Sequence, residues 1–144
     1  PGSENWPNFL QNKSERFESR ITMVSIAKSN SIFFSEMDGS KLPIVISHGE
    51  GRADLMKKDY VKLHGNNQVC MNYIDDSGKS TESYPFNPNG SYNGIAGVSS
   101  SSGNVTLMMP HPERLINIKQ FPTNDNEVIS PWSKFFYNAR MHLK

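Results

Sequence analysis

The segment that most constrains how this chain folds is Leu42-Pro-Ile-Val-Ile-Ser47. It is short, rich in β-branched residues, and offers no obvious polar face. A strand of that kind expects cover on both sides and neighbours along its length, as in the buried parallel sheet of an α/β domain. His48-Gly-Glu-Gly-Arg52 follows at once and reads as the loop at the strand's C-terminal end. In open α/β sheets, ligands gather outside the carboxyl ends of the strands. A second strand end carries polar residues too. The apolar run Val105-Thr-Leu-Met-Met109 ends at Pro110, and His111 and Glu113 come directly after it.

In an extended segment, side chains two residues apart point to the same side. Pro110 and Pro112 each fix a backbone φ around His111. An imidazole oriented by a carboxylate is the base half of a nucleophilic triad and needs only a Ser or Cys to activate. The plainer reading keeps His111 solvated in a Pro-rich loop, with Glu113 starting a helix. The chain's one cysteine, Cys70, stands in Asn67-Gln-Val-Cys-Met-Asn-Tyr-Ile74. Its neighbours alternate weakly and include no glycine, so the segment reads as a strand, and Cys70 as a small structural hydrophobe. His48 is tempting as a second base, but a lone loop histidine is more often a hydrogen-bonding or solvent-exposed group. His48, His64, Cys70 and His142 have no metal-ligand spacing.

Composition narrows the class. The 144 residues carry 15 Lys and Arg against 14 Asp and Glu, and the cations are scattered apart from Lys57-Lys58. No basic stripe suggests nucleic acid. No apolar run approaches the ~20 residues that span a bilayer. A single cysteine excludes an internal disulfide framework and fits a reducing, cytoplasmic setting. Sequons at Asn12, Asn89 and Asn104 are about as frequent as chance allows in a chain this rich in Asn and Ser.

A coarse pass predicts a strand over Phe17 to Ala27, with Phe17, Ile21 and Met23 on one side. One helical turn is expected over Phe33 to Asp38, ending at Gly39, and a short helix over Lys57 to His64, closed by Gly65. Strands are expected at Gln68 to Ile74 and near Lys79 to Ser83. Gly94 to Ser99 and Val105 to Met109 pair across the turn Ser99-Ser-Ser-Ser-Gly-Asn104. A last helix begins with Ser130 as cap and Pro131 in first position, then runs without a breaker from Lys134 to Lys144. Its stripe Trp132, Phe135, Phe136, Ala139 and Leu143 reads as core packing.

Three blocks in this order carry a resemblance: Leu42 to Arg52, Tyr84-Pro-Phe-Asn-Pro-Asn-Gly-Ser-Tyr-Asn-Gly-Ile-Ala-Gly-Val98, and Val105 to Arg114. Phe17-Glu-Ser-Arg20, Ser130-Pro-Trp132 and Asn138-Ala-Arg140 extend it over the whole chain. Together they resemble the glutaminase domain of the phosphoribosylformylglycinamidine synthase family, which belongs to the class I, triad-type glutamine amidotransferases. The closing segment is similar to that of the long single-chain form.

The resemblance implies a flavodoxin-like α/β fold, an open, mostly parallel sheet flanked by helices with added β-hairpins. It makes His111 the base and Glu113 its orienting partner, with Ser47, Gly49 and Glu50 on the loop that binds the α-amino and α-carboxylate groups of glutamine. It also implies that residues 1–144 are the C-terminal portion of one glutaminase domain. The nucleophile, a Cys on a glycine-flanked turn, is then expected upstream of Pro1. The loop Asn87 to Ser91 is expected near the boundary with a synthetase domain of the same polypeptide. No cofactor is expected in this segment. ATP and Mg belong to the synthetase domain, and no Walker-type phosphate loop occurs here. Another triad-type amidotransferase or peptidase, or a non-catalytic module of the same fold, remains open at this point.

Overall fold

The structure, a computed structural model, describes residues 3–121 and 129–143. It is a mixed α/β fold of seven strands and two α-helices among those residues. The strands are β1 (Asn8–Leu10), β2 (Glu18–Ile26), β3 (Lys41–His48), β4 (Arg52–Asp54), β5 (Val69–Tyr73), β6 (Ile95–Ser99) and β7 (Thr106–Met108). The helices are α1 (Lys57–Gly65) and α2 (Ser133–His142). Five strands form one sheet in the order β3-β2-β5-β6-β7, and β1 pairs with β4 apart from it. Among the described residues no helix is long and apolar enough to cross a membrane.

Every ladder between these strands is antiparallel. The described strands therefore do not form the mostly parallel, flavodoxin-like sheet expected from the sequence. The connections explain the difference. A parallel pair needs a crossover of a dozen or more residues, usually helical. Here β6 passes to β7 through a tight turn, and the longer links from β2 to β3 and from β5 to β6 hold 3-10 turns but no α-helix. Gly103 closes that turn at φ +78°, where its backbone lies so near the Asn30 carbonyl that a Cβ would collide with it.

The run from Leu42 to Ser47 is a strand, but an edge strand, flanked by β2 alone in the sheet. Ile44 and Ile46 are fully buried, whereas Leu42, Pro43, Val45 and Ser47 are only half-buried. The strands buried on both faces are β5 and β6 instead. In β2 the side displaying Phe17, Ile21 and Met23 is the outward one, Phe17 being 67% exposed. Glu18, Thr22, Val24 and Ile26 line the inner face. Lys79 to Ser83 forms no strand and contributes one bridge, Ile74 to Ser80. Helix α1 is closed by Asn67 at φ +53° rather than by Gly65, which lies inside it. The turn at Ile32–Phe34 is 3-10.

One core gathers Val24, Ile26, Ile44, Ile46, Tyr73 and Cys70 under Phe34, Met37, Leu115, Trp132 and Phe135. A second joins Leu63 of α1 to Ala53, Val69, Ile95 and Val98. Helix α2 is led in by Ser130, whose hydroxyl accepts from the Trp132 N–H at 3.2 Å, so the α-helical stretch begins after Pro131 and Trp132. Its apolar stripe divides. Trp132 and Phe135 are core, with Phe135 stacked on Phe33 at 5.0 Å, but Phe136 is exposed and Leu143 is 84% exposed. The end of the helix expected at Lys144 lies outside the described residues.

Trp132 fastens this tail to the sheet, its indole N–H donating to the Pro43 carbonyl at 2.7 Å. Trp132→Ala should cost about 3–5 kcal/mol, through lost burial and a cavity. Trp132→Phe should cost about 1–3 kcal/mol, most of it from leaving that carbonyl unpaired. Urea denaturation of the three proteins separates the two contributions, and a Phe variant as stable as the wild type would deny the hydrogen bond any distinct role.

Candidate active site

His111 sits where the chain leaves β7 and touches the free edge of β3. Its backbone N–H donates to the Val45 carbonyl at 2.8 Å, and the two residues form an isolated antiparallel bridge. Pro112 keeps His111 out of the helical region, at φ −111° and ψ 85°. It also opens a 3-10 turn, Pro112–Leu115, that Leu115 anchors in the core. The proximity of His111 and Glu113 therefore comes from this turn and not from an extended two-residue repeat. The result is a hydrogen bond of 2.7 Å between His111 Nδ1 and Glu113 Oε1.

An ionised carboxylate only accepts, so Nδ1 of the neutral ring carries the proton and Nε2 keeps its lone pair. That is the tautomer a general base requires. The imidazole is partly open to solvent and Glu113 about half so, with Arg114 Nε 3.9 Å from the same carboxylate oxygen.

Ser47, Gly49 and Glu50 lie close by in the chain but are not drawn onto the dyad. Ser47 stays in the β2 ladder opposite Ser19. Gly49 shapes the turn into β4, its carbonyl accepting from the Asn12 N–H at 2.8 Å, and Glu50 is exposed at the tip. Among the described residues none of the three hydrogen-bonds to His111 or Glu113.

What the structure does bring beside His111 is His48, the last residue of β3, with ring centroids 6.3 Å apart. His48 is only 8% exposed. Its Nδ1 lies 3.1 Å from Asn89 Nδ2, in a buried group completed by Asn12 and Tyr73. Asn12 donates to the Arg16 and His48 carbonyls, at 2.9 Å each, and accepts from the Gly51 N–H at 3.1 Å. A Cβ at Gly51 would strike the His48 ring, so glycine lets the ring and Asn89 meet.

These residues were not legible as a site. Asn12 and Asn89 stand 77 positions apart, and sequence offered only two chance sequons and a turn-rich loop. The members of the group are two asparagines, a tyrosine and a histidine followed by glycine, and no local pattern ties them together.

Cys70 is fully buried, and burial pushes its thiol far above the ordinary range, so it is no nucleophile for His111. A cavity of about 410 Å³ lies along Lys13, Arg16, Glu18, Tyr84 and Asn87, and includes neither His111 nor Glu113. Among the described residues no group of three or more His, Cys, Asp or Glu is placed to hold a metal ion.

Burial first, and the nearness of His111 second, hold the His48 imidazole below its ordinary value of about 6.5, against weaker opposing effects of its own backbone and of Glu18. The unfolded chain thus binds the proton more readily than the folded one. Stability rises with pH through that window and is lost as pH falls from about 6.5 toward the folded value. One proton sets a ceiling of about 1.4 kcal/mol per pH unit. His48→Gln should flatten this slope, as read from urea midpoints measured across the acid range. An unchanged slope would assign the pH dependence to other groups.

Residues 1–143 match the family of CobB/CobQ-like glutamine amidotransferase domains. The fold is similar to the structure of PurLQS from Thermotoga maritima, with a TM-score of 0.68 and 28% sequence identity. That likeness covers 96% of this chain and 53% of the other, so the chain spans about half the length of the protein it resembles. With the family match running from the first strand through the His111–Glu113 dyad to α2, this chain belongs to the CobB/CobQ-like glutamine amidotransferase domain family.

Proposed function

We propose that this chain supplies the base and its orienting carboxylate to the glutaminase site of a phosphoribosylformylglycinamidine synthase. The single observation that carries the reading is the 2.7 Å bond between His111 Nδ1 and Glu113 Oε1 in a chain of this family. The sequence blocks and the likeness to PurLQS support it.

In this reading the attacking thiolate comes from a cysteine outside these 144 residues, on a glycine-flanked turn. The thiolate adds to the side-chain amide carbon of glutamine. His111 Nε2, having taken the thiol proton, passes it to the departing ammonia, then takes one from the water that hydrolyses the thioester and returns it to the cysteine sulfur. Glu113 keeps the productive tautomer and stabilises the imidazolium that forms within each step. Ser47, Gly49 and Glu50 would contact the α-amino and α-carboxylate groups of glutamine.

The remainder of the domain would add a flavodoxin-like, mostly parallel sheet beside the antiparallel one described here. Ammonia would pass to a synthetase domain of the same cytoplasmic polypeptide. There ATP and Mg activate formylglycinamide ribonucleotide for conversion of its amide to an amidine.

Two outcomes follow. The 144-residue chain alone should release no glutamate from glutamine above a His111→Ala control, because it holds no activatable thiol. In the complete enzyme, Glu113→Gln should lower the glutaminase rate by a factor on the order of 10² to 10⁴ while leaving ammonia-dependent turnover intact. Steady-state assays with glutamine and with ammonium salts read both. A kinetically silent Glu113→Gln would remove Glu113 from the triad.

A further inference from the structure

His48 is a buried polar group that the reaction above leaves unused. Its Nε2 is buried without a hydrogen-bond partner among the described residues. Which ring nitrogen holds the proton follows from the neighbours. Asn12 is fixed first, because one end of its amide faces two backbone carbonyls and must be the nitrogen. Its oxygen therefore faces Gly51 N–H and Asn89. Asn89 must then present its own nitrogen to that oxygen, at 2.7 Å, and its oxygen to the Tyr73 hydroxyl, at 2.8 Å. The same Asn89 nitrogen lies 3.1 Å from His48 Nδ1. An amide nitrogen donates only, so Nδ1 accepts, and the ring proton is left on Nε2. Protonating Nδ1 would set N–H against N–H.

We propose that the Tyr73–Asn89–Asn12 network locks His48 as a neutral Nε2–H donor beside His111. His48 is thereby a positioning residue that holds an acceptor oxygen of bound glutamine, and not a second base. The two imidazoles carry opposite tautomers, Nε2 being a donor on His48 and an acceptor on His111. A buried donor without an acceptor is costly, and a ligand oxygen removes that cost. Nε2 is covered in this chain, so glutamine binding must uncover it. The charged and titratable groups around His48 are His111 from the loop after β7 and Glu18 opposite it on β2, with Arg20 3.4 Å from Glu18. The ligand's identity rests on the glutaminase reading, whereas the tautomer does not.

Nitrogen-15 spectra of the imidazoles test the lock in this chain, with His111→Ala assigning the signals. His48 should keep a protonated Nε2 and a bare Nδ1 from about pH 8 to about pH 6. A proton on Nδ1 in that range overturns the lock. Asn89→Asp places an acceptor at Nδ1 and should move the proton there. Tyr73→Phe leaves Asn12 in control and should preserve the tautomer, which keeps the lock testable if the Asp variant does not fold.

In the complete enzyme, His48→Ala should raise KM for glutamine about 10- to 100-fold with a much smaller change in kcat. His48→Gln, which restores an N–H donor, should recover most of the loss. A defect confined to kcat, with an altered acid limb and no recovery by Gln, would make His48 a base and defeat the proposal. Should the complete enzyme hydrolyse no glutamine, the functional reading fails while the spectra still judge the tautomer.

Discussion

The free edge of β3 is the constraint on which the rest of this structure depends. An edge strand presents unpaired carbonyls and N–H groups, a liability unless something covers them. Here two distant parts of the chain do so at alternate residues. Trp132 closes the Pro43 carbonyl and His111 closes the Val45 carbonyl. Pro43 lacks an N–H, which costs nothing on the side of a strand that has no partner strand. The same edge therefore anchors the C-terminal helix and sets the height of the candidate base. Where β3 ends, its last residue, His48, meets the candidate base that this edge holds.

The dyad and its neighbour illustrate how hydrogen bonding divides labour between similar groups. Both are histidines, yet one faces an ionised carboxylate in partial solvent and the other a fixed amide nitrogen in the interior. A carboxylate places the proton on the near nitrogen. An amide nitrogen takes the lone pair and opposes charge. Burial and the mutual repulsion of two imidazoles act in the same direction on His48. On the mechanism proposed above, a site that cycles one imidazolium gains from a neighbour that stays neutral, because a second charge would oppose the first.

Much of this was legible in the sequence where its physics is local. The His111–Glu113 pair, the β6–β7 hairpin and the Ser130-led helix depend on residues within a few positions of one another, and proline, glycine and capping serine mark them. The direction of the sheet was not legible, because β-pairing is decided by connections and by long-range packing. Pro43, inside the apolar run, is itself the mark of an edge strand, although the β-branched residues around it are those of a buried one. The outward face of β2 misleads for a related reason, since Phe17, Ile21 and Met23 look like the core side and Glu18 and Thr22 do not.

The asparagine network lay furthest from view, and its energetics say why single deletions will describe it poorly. Asn89 satisfies the Tyr73 hydroxyl, Asn12 Oδ1 and His48 Nδ1 at once, while fully buried. Removing it strands the Tyr73 hydroxyl and His48 Nδ1 in the interior, each at a cost of about 1–3 kcal/mol, and leaves Asn12 Oδ1 with the Gly51 N–H alone. That sum rivals the net stability of a small domain. Substitution by alanine therefore reports on folding before it reports on the site. Only near-isosteric changes, which alter who donates while keeping every contact filled, separate the network's part in chemistry from its part in holding β3, β5 and the Asn87 to Ser91 loop together.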